Sequence, residues 1–144
     1  MTEPGNSFQK NNLSKENPLP ENKSLPDQLD AKIDLSYLKE IADGNDAFII
    51  EMIEMFLQKT PEALEKMNES FQKQNWEELR LIAHRIKPSY SYVGLPEIQI
   101  TLAEIESCSH TKTDLEKIPQ MISQVQQTSK SAFKDLEKEL NGLK

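Results

Sequence analysis

The chain has 144 residues, which suits one domain plus a tail, and carries 24 Asp and Glu against 17 Lys and Arg for a net charge of −7. That balance argues against nucleic acid and against an anionic membrane surface, because both need a basic stripe to meet phosphates. Cys108 is the only cysteine, so no intramolecular disulfide can form, a reducing compartment fits, and no CxxC or His/Cys cluster suggests a metal. No apolar signal core opens the chain and no run approaches the length of a membrane span, so a cytoplasmic location is expected.

Residues 1–32 are rich in Asn, Pro, Ser, Lys and Glu, and their few Leu and Phe have no regular spacing. Such a segment buries too little apolar surface to offset chain entropy and is expected to be a disordered tail or linker. Residues 33–144 read as the folded domain. Ile33–Ala42 is predicted as a short helix with Asp34 or Ser36 as cap and Leu35, Leu38 and Ile41 on one face. Gly44 suits the left-handed position after it, and Asn45 or Asp46 caps the next helix.

Ala47 to about Gln74 is a long helical pattern with Phe48, Met52, Ile53, Phe56, Leu64, Met67 and Phe71 as its apolar stripe. Pro61 falls inside it and predicts a kink or a division, with Thr60 as a new cap. Ile50, Met55 and Leu57 lie outside the stripe. They are covered by the short first helix or form an exposed patch for a partner.

Asn75-Trp76-Glu77-Glu78 resembles a capping box and opens the central helix. Leu79, Ala83, Ile86, Tyr90 and Val93 repeat at three and four residues and form its core stripe. At 3.6 residues per turn, His84 points about 140° away from Leu79, onto a flank shared with Arg80, Lys87 and Ser91. Pro88 removes an N–H and crowds the carbonyl of His84, so a bend is expected there, with Lys87 pushed away from helical geometry. Gly94 ends the helix. Pro96 then sits in the first turn of a helix carrying Ile98, Leu102 and Ile105 as far as Glu106. Ser107–Thr113 is predicted as a polar connection. A last helix runs from about Asp114 to Leu140 on Ile118, Ile122, Val125, Ala132, Phe133, Leu136 and Leu140, closed by Gly142. The sum is an all-α fold: an up-and-down four-helix bundle with a short extra N-terminal helix.

His84 is the residue with chemistry to offer. A neutral imidazole is a nucleophile, and flanking cations at Arg80 and Lys87 would balance a phosphoryl group once it arrives. Ser89 and Ser91 are either surface serines or hydrogen-bonding partners of that site. His110, in the polar connection, has no carboxylate or thiol at ligand spacing. No GxxxxGK[ST] or glycine-rich nucleotide loop occurs, so the chain has no kinase activity of its own to expect.

His84, Ile86, Lys87, Ser89 and the Val93-Gly94 pair, with Ile105-Glu106 on the following helix, resemble the signature of histidine-containing phosphotransfer (HPt) domains of two-component phosphorelays. The likeness covers about residues 33–141. It departs at one point: the family's Gly, one turn after the His, is Pro88 here. The resemblance implies that His84 accepts a phosphoryl group from the aspartyl phosphate of a receiver domain and passes it to a second receiver. Lys87, with Arg80 and Ser89, would serve the phosphohistidine. Glu106 would stand where the family carries a residue that hydrogen-bonds the imidazole.

The partners implied are the receiver domains of a hybrid histidine kinase and of a response regulator, with Mg²⁺ on the receiver, no cofactor on this chain, and a monomeric bundle. Leu38, Ile41, Ile49 and Ile50 would form the docking surface, and Pro88, Ser91 and Gly94 would lie where the partner approaches. The alternative is a helical adaptor that binds a receiver or another signalling protein without being phosphorylated.

Overall fold

A computed structural model describes residues 32–144; residues 1–31, nearly all of the expected tail, lie outside the described part. Among the described residues the elements are all helical: α1 (Ser36–Ala42), α2 (Asp46–Gln72), α3 (Trp76–Ile86), a short α4 (Ser89–Tyr92), α5 (Pro96–Thr111), a 3₁₀ turn (Leu115–Lys117) and α6 (Ile118–Leu143). Helix α2 packs on α3 and α6, α3 on α5, and α5 on α6. Four long helices therefore close into a ring around one core, with α1 laid across α2 and α4.

The caps explain where the helices begin. The Asn45 side chain accepts the Phe48 N–H at 3.1 Å, which satisfies one of the orphan donors of α2. Asn75 does the same for Glu78 N at the start of α3. The returning half of the capping box differs from the usual form. Glu78 Oε1 accepts from Asn75 Nδ2 and from the buried Ser70 hydroxyl, while Asn75 N–H goes to the Ser70 carbonyl. That arrangement ties the end of α2 to the start of α3, and Trp76 meets Phe71 edge to face across the same turn.

The core stripes match their periodicity closely. Leu79, Ala83, Ile86, Tyr90 and Val93 are all buried, as are Ile98, Leu102 and Ile105 on α5 and Ile118, Ile122, Val125, Ala132 and Leu136 on α6. Tyr90 meets Phe56 edge to face, and its hydroxyl pairs with that of Ser129 at 2.7 Å. A phenol so deep needs that partner.

Several boundaries differ from expectation. Helix α1 starts at Ser36 rather than Ile33, because Asp34 Oδ1 takes the Ser36 N–H and holds the residues before it out of the helix. Pro61 does not divide α2: the helix is continuous from Asp46 to Gln72, and Thr60 is a buried helical residue rather than a cap. Burial of Ile53 and Phe56 before the proline and Leu64 and Met67 after it outweighs one lost hydrogen bond. Ser107–Thr111 continue α5 instead of forming a loop; buried Ser109 returns its hydroxyl to the Ile105 carbonyl. Gly142 lies inside α6, which runs to Leu143.

Candidate functional site

Helix α3 sets the site by what it buries. With Leu79, Ala83 and Ile86 turned inward, His84 faces out, and its side chain is 63% exposed. Helix α5 supplies the partner in the same way. Burial of Leu102 and Ile105 leaves Glu106 on the flank that faces α3. Its carboxylate bridges two residues of the other helix: Oε2 meets His84 Nδ1 at 2.8 Å, and Oε1 accepts from Lys87 Nζ at 2.8 Å.

The bridge assigns the two ring nitrogens. A carboxylate at Nδ1 fixes a proton there and leaves Nε2 as the lone-pair nitrogen on the open side. Lys87 first, and then the His84 ring, hold the Glu106 carboxyl below its ordinary value of 4.5, against the opposing effect of partial burial. Glu106 thus stays ionised near neutrality with its charge offset by Lys87.

The direction of that shift gives a stability prediction. The native state binds the Glu106 proton more weakly than the unfolded chain does. Its contribution is complete above the ordinary value of 4.5 and is lost as pH falls through the lower native value. The melting temperature of wild type should exceed that of Glu106→Gln near neutral pH, and the gap should close on acidification below about pH 4. A gap that persists unchanged in acid would mean that the bridge does not contribute in this way.

The other site residues fall into two groups. Arg80, one turn before His84, is held by Glu77 through two hydrogen bonds, of 3.1 and 2.6 Å. Glu77, and more weakly the field of Glu106, raise its guanidinium further. It is therefore near the site but already paired. Lys87 keeps right-handed helical geometry (φ −54°, ψ −47°), contrary to the expectation from Pro88. Helix α3 ends just before it, and the interruption is repaired around its carbonyl. Lys87 O accepts from Tyr90 N and from Gln99 Nε2 on α5, at 3.2 Å each. Gln99 was not expected. Its one signal in the sequence is a position two turns before Glu106 on the same face of α5.

Ser89 does not reach His84. It is half-buried and lines a cavity on the other flank of α3, together with Arg85. Ser91 gives its hydroxyl to the Pro88 carbonyl at 2.7 Å, which caps the break. Pro88 and Ser91 line a shallow patch beside Lys87 with Ile100, which is 63% exposed. Of the expected docking residues, Leu38 and Ile49 are buried in the core and offer no exposed side chain, because α1 and α2 pack through them. Ile41 is 42% exposed, and Ile50 is half-buried. The uncovered residue of early α2 is Met55, 44% exposed, alongside Tyr37 of α1. Gly94 faces the backbone of Asp34 within this chain, not an approaching partner.

Among the described residues no group of three His, Cys, Asp or Glu is placed to hold a metal ion. No described helix is long and apolar enough to cross a membrane.

A family model described as the Hpt domain matches residues 51–128, more than half of the chain. The chain belongs to the Hpt family. Its role is accordingly histidine phosphotransfer in a two-component phosphorelay. Two solved structures share the fold of this Hpt domain. One is the histidine-containing phosphotransfer protein HptB from Pseudomonas aeruginosa PAO1, at TM-score 0.66 and 20% identity over 74% of this chain and 90% of that one. The other is the HPT domain of the Hpt sensor hybrid histidine kinase from Shewanella, at TM-score 0.63 and 20% identity over 79% of this chain and 97% of that one. No curated protein sequence matches the chain significantly.

Proposed function

We propose that His84 is the phosphoacceptor of this Hpt domain, taking the group from the aspartyl phosphate of one receiver domain and giving it to an aspartate of another. The observation that carries the proposal is the exposed ring whose Nδ1 is held at 2.8 Å by a carboxylate that Lys87 neutralises. In the transfer, Nε2 attacks phosphorus, the N–P bond forms as the acyl O–P bond breaks, and the aspartate leaves as a carboxylate. The positive charge created on the ring is met at Nδ1 by Glu106. Because Glu106 lies on the far side of the ring from the incoming group, it orients and stabilises the imidazolium without facing the phosphate.

Phosphoryl transfer needs alignment and charge neutralisation more than covalent machinery. Lys87 stands one turn beyond His84 and supplies the cation nearest the site, with Arg80 behind it. The receiver brings Mg²⁺ and its own acidic pocket, and this chain, a monomer in the cytoplasm, brings the aligned nucleophile. The exposed surface around His84, from Tyr37, Ile41 and Met55 on one side to Pro88, Ser91 and Ile100 on the other, is the receiver-docking face.

Transfer from a phosphorylated receiver, followed by intact mass, is expected to add one phosphoryl group that is acid-labile and base-stable. Lys87→Glu should slow that transfer by about tenfold or more while leaving the helical signal intact, since Lys87 is not part of the buried core. A collapse of the fold in this variant would instead make Lys87 structural.

A further inference from the structure

A cavity of about 320 Å³ opens between α1, α2, α3 and α4, on the flank of α3 next to His84. Its floor is apolar: Leu38, Ile53 and Phe56 are buried, and Met52, Met55 and Tyr92 around them keep accessible apolar surface. Its rim is not. Lys59 and Lys66, two turns apart on α2, and Arg85, the neighbour of His84, surround it, and Glu62 is the one carboxylate in the lining. All three cations are exposed. None of them is in an ion pair among the described residues. Three cations less one carboxylate leave a local excess of two positive charges on a chain whose net charge is −7.

We infer that this groove selects the receiver by charge. It takes an apolar side chain carried on an acidic partner surface, and Lys59, Lys66 and Arg85 are its specificity-determining residues. The inference rests on the receiver-docking reading above. A partner that covers His84 with a standard interface of about 800 Å² reaches roughly 16 Å from its centre. Helix α3 is only about 10 Å across with its side chains. A footprint centred on His84 therefore reaches across α3 to the groove beside Arg85.

The two flanks of His84 then differ in what they ask of that partner. On the α5 side the cations are already paired, Lys87 with Glu106 and Arg80 with Glu77. On the groove side three cations have no ion-pair partner among the described residues, and Met52, Met55 and Tyr92 leave apolar surface to bury. Opposite charge there raises the encounter rate and penalises a receiver with a basic edge, while the apolar contact holds the complex.

The test uses the full chain and a panel of purified receiver domains phosphorylated with acetyl phosphate. The receiver that transfers fastest to wild type is then assayed with a triple variant, Lys59→Glu, Lys66→Glu and Arg85→Glu, and separately with Glu62→Lys. Phosphoramidate, which labels histidine without a receiver, reports on His84 itself. The expected result is a fall in kcat/KM of about tenfold or more for the triple variant and a rise for Glu62→Lys, with both differences shrinking as salt is raised. A triple variant that transfers within about twofold of wild type overturns the inference and leaves the relay reading standing. Parallel loss of phosphoramidate labelling also overturns it, because the cations would then belong to the site and not to docking. No transfer from any receiver to a wild-type chain that phosphoramidate does label overturns the relay reading and the inference with it.

Discussion

His84→Gln is expected to abolish phosphoryl acceptance from receivers and from phosphoramidate while the bundle melts within about 2 °C of wild type. The reason for loss is chemical. An amide nitrogen has its lone pair delocalised into the carbonyl and does not attack phosphorus. The reason for retained stability is positional. The imidazole is 63% exposed and contributes no core packing, and a glutamine amide can still donate to the Glu106 carboxylate. The check is intact mass after labelling, with acid and base treatment to identify the bond. Phosphohistidine is lost in acid, whereas phosphoserine and phosphothreonine survive it. Residual acid-labile label in the variant would point to His110, the other histidine, which is exposed near the end of α5. That result would sink the assignment of His84.

Gly94→Ala should destabilise the domain by about 3 kcal/mol, the largest effect of any single methyl group we foresee in this fold. Gly94 has φ +74°, in the left-handed region, where a Cβ is itself unfavourable. The larger cost comes from what that Cβ meets. Built on the backbone, it would lie 2.6 Å from Asp34 Cβ and 2.8 Å from Asp34 N, and would collide with the Asp34 carbonyl oxygen. These are mostly backbone atoms and cannot swing aside. Asp34 N–H also donates to the Val93 carbonyl at 2.9 Å, so the whole seat of α1 is involved. If it yields, Leu35 and Leu38 lose their burial and Tyr37 loses its stacking on Tyr92.

Gly44→Ala is the internal control. It has φ +85° but nothing within 4 Å of an added Cβ, so only the conformational part, about 1 kcal/mol, should appear. Urea unfolding of the two variants separates the terms. Equal losses would mean that the Asp34 contact does not hold α1 in place.

The helices of this domain were legible because each stripe is repeated locally. Leu79, Ala83, Ile86, Tyr90 and Val93 identify the buried face of α3 and α4 without reference to any other part of the chain, and they turn His84 outward in the same step. Caps were legible for the same reason: Asn45 and Asn75 bond to amides three residues on. Pro88 marked a break that the structure contains. Errors arose where local preference met packing. Pro61 and the residue before Pro88 both stay helical, because buried neighbours on each side outweigh the disfavoured geometry. Ser107–Thr111 looked like a loop by composition, yet Ser109 and Thr111 return their hydroxyls to carbonyls four residues back and the helix goes on.

The docking residues were the least legible part, and the cause is geometric. Leu38, Ile41, Ile49 and Ile50 are alike in type, and only the placement of α1 on α2 decides that two are buried and two reach the surface. Amphipathic spacing states that a face is apolar but not which neighbour covers it. By itself the sequence determined an all-helical bundle, the outward histidine and the cations one turn away from it, because helical period and side-chain chemistry act within a few residues. Tertiary structure decided that Glu106 bridges His84 and Lys87 across 22 and 19 residues of chain, that Gly94 seats Asp34, and that Lys59, Lys66 and Arg85 gather around one groove. Those groups meet only after four buried stripes have closed on one another, and the register of that closure is a property of the packed core rather than of any one helix.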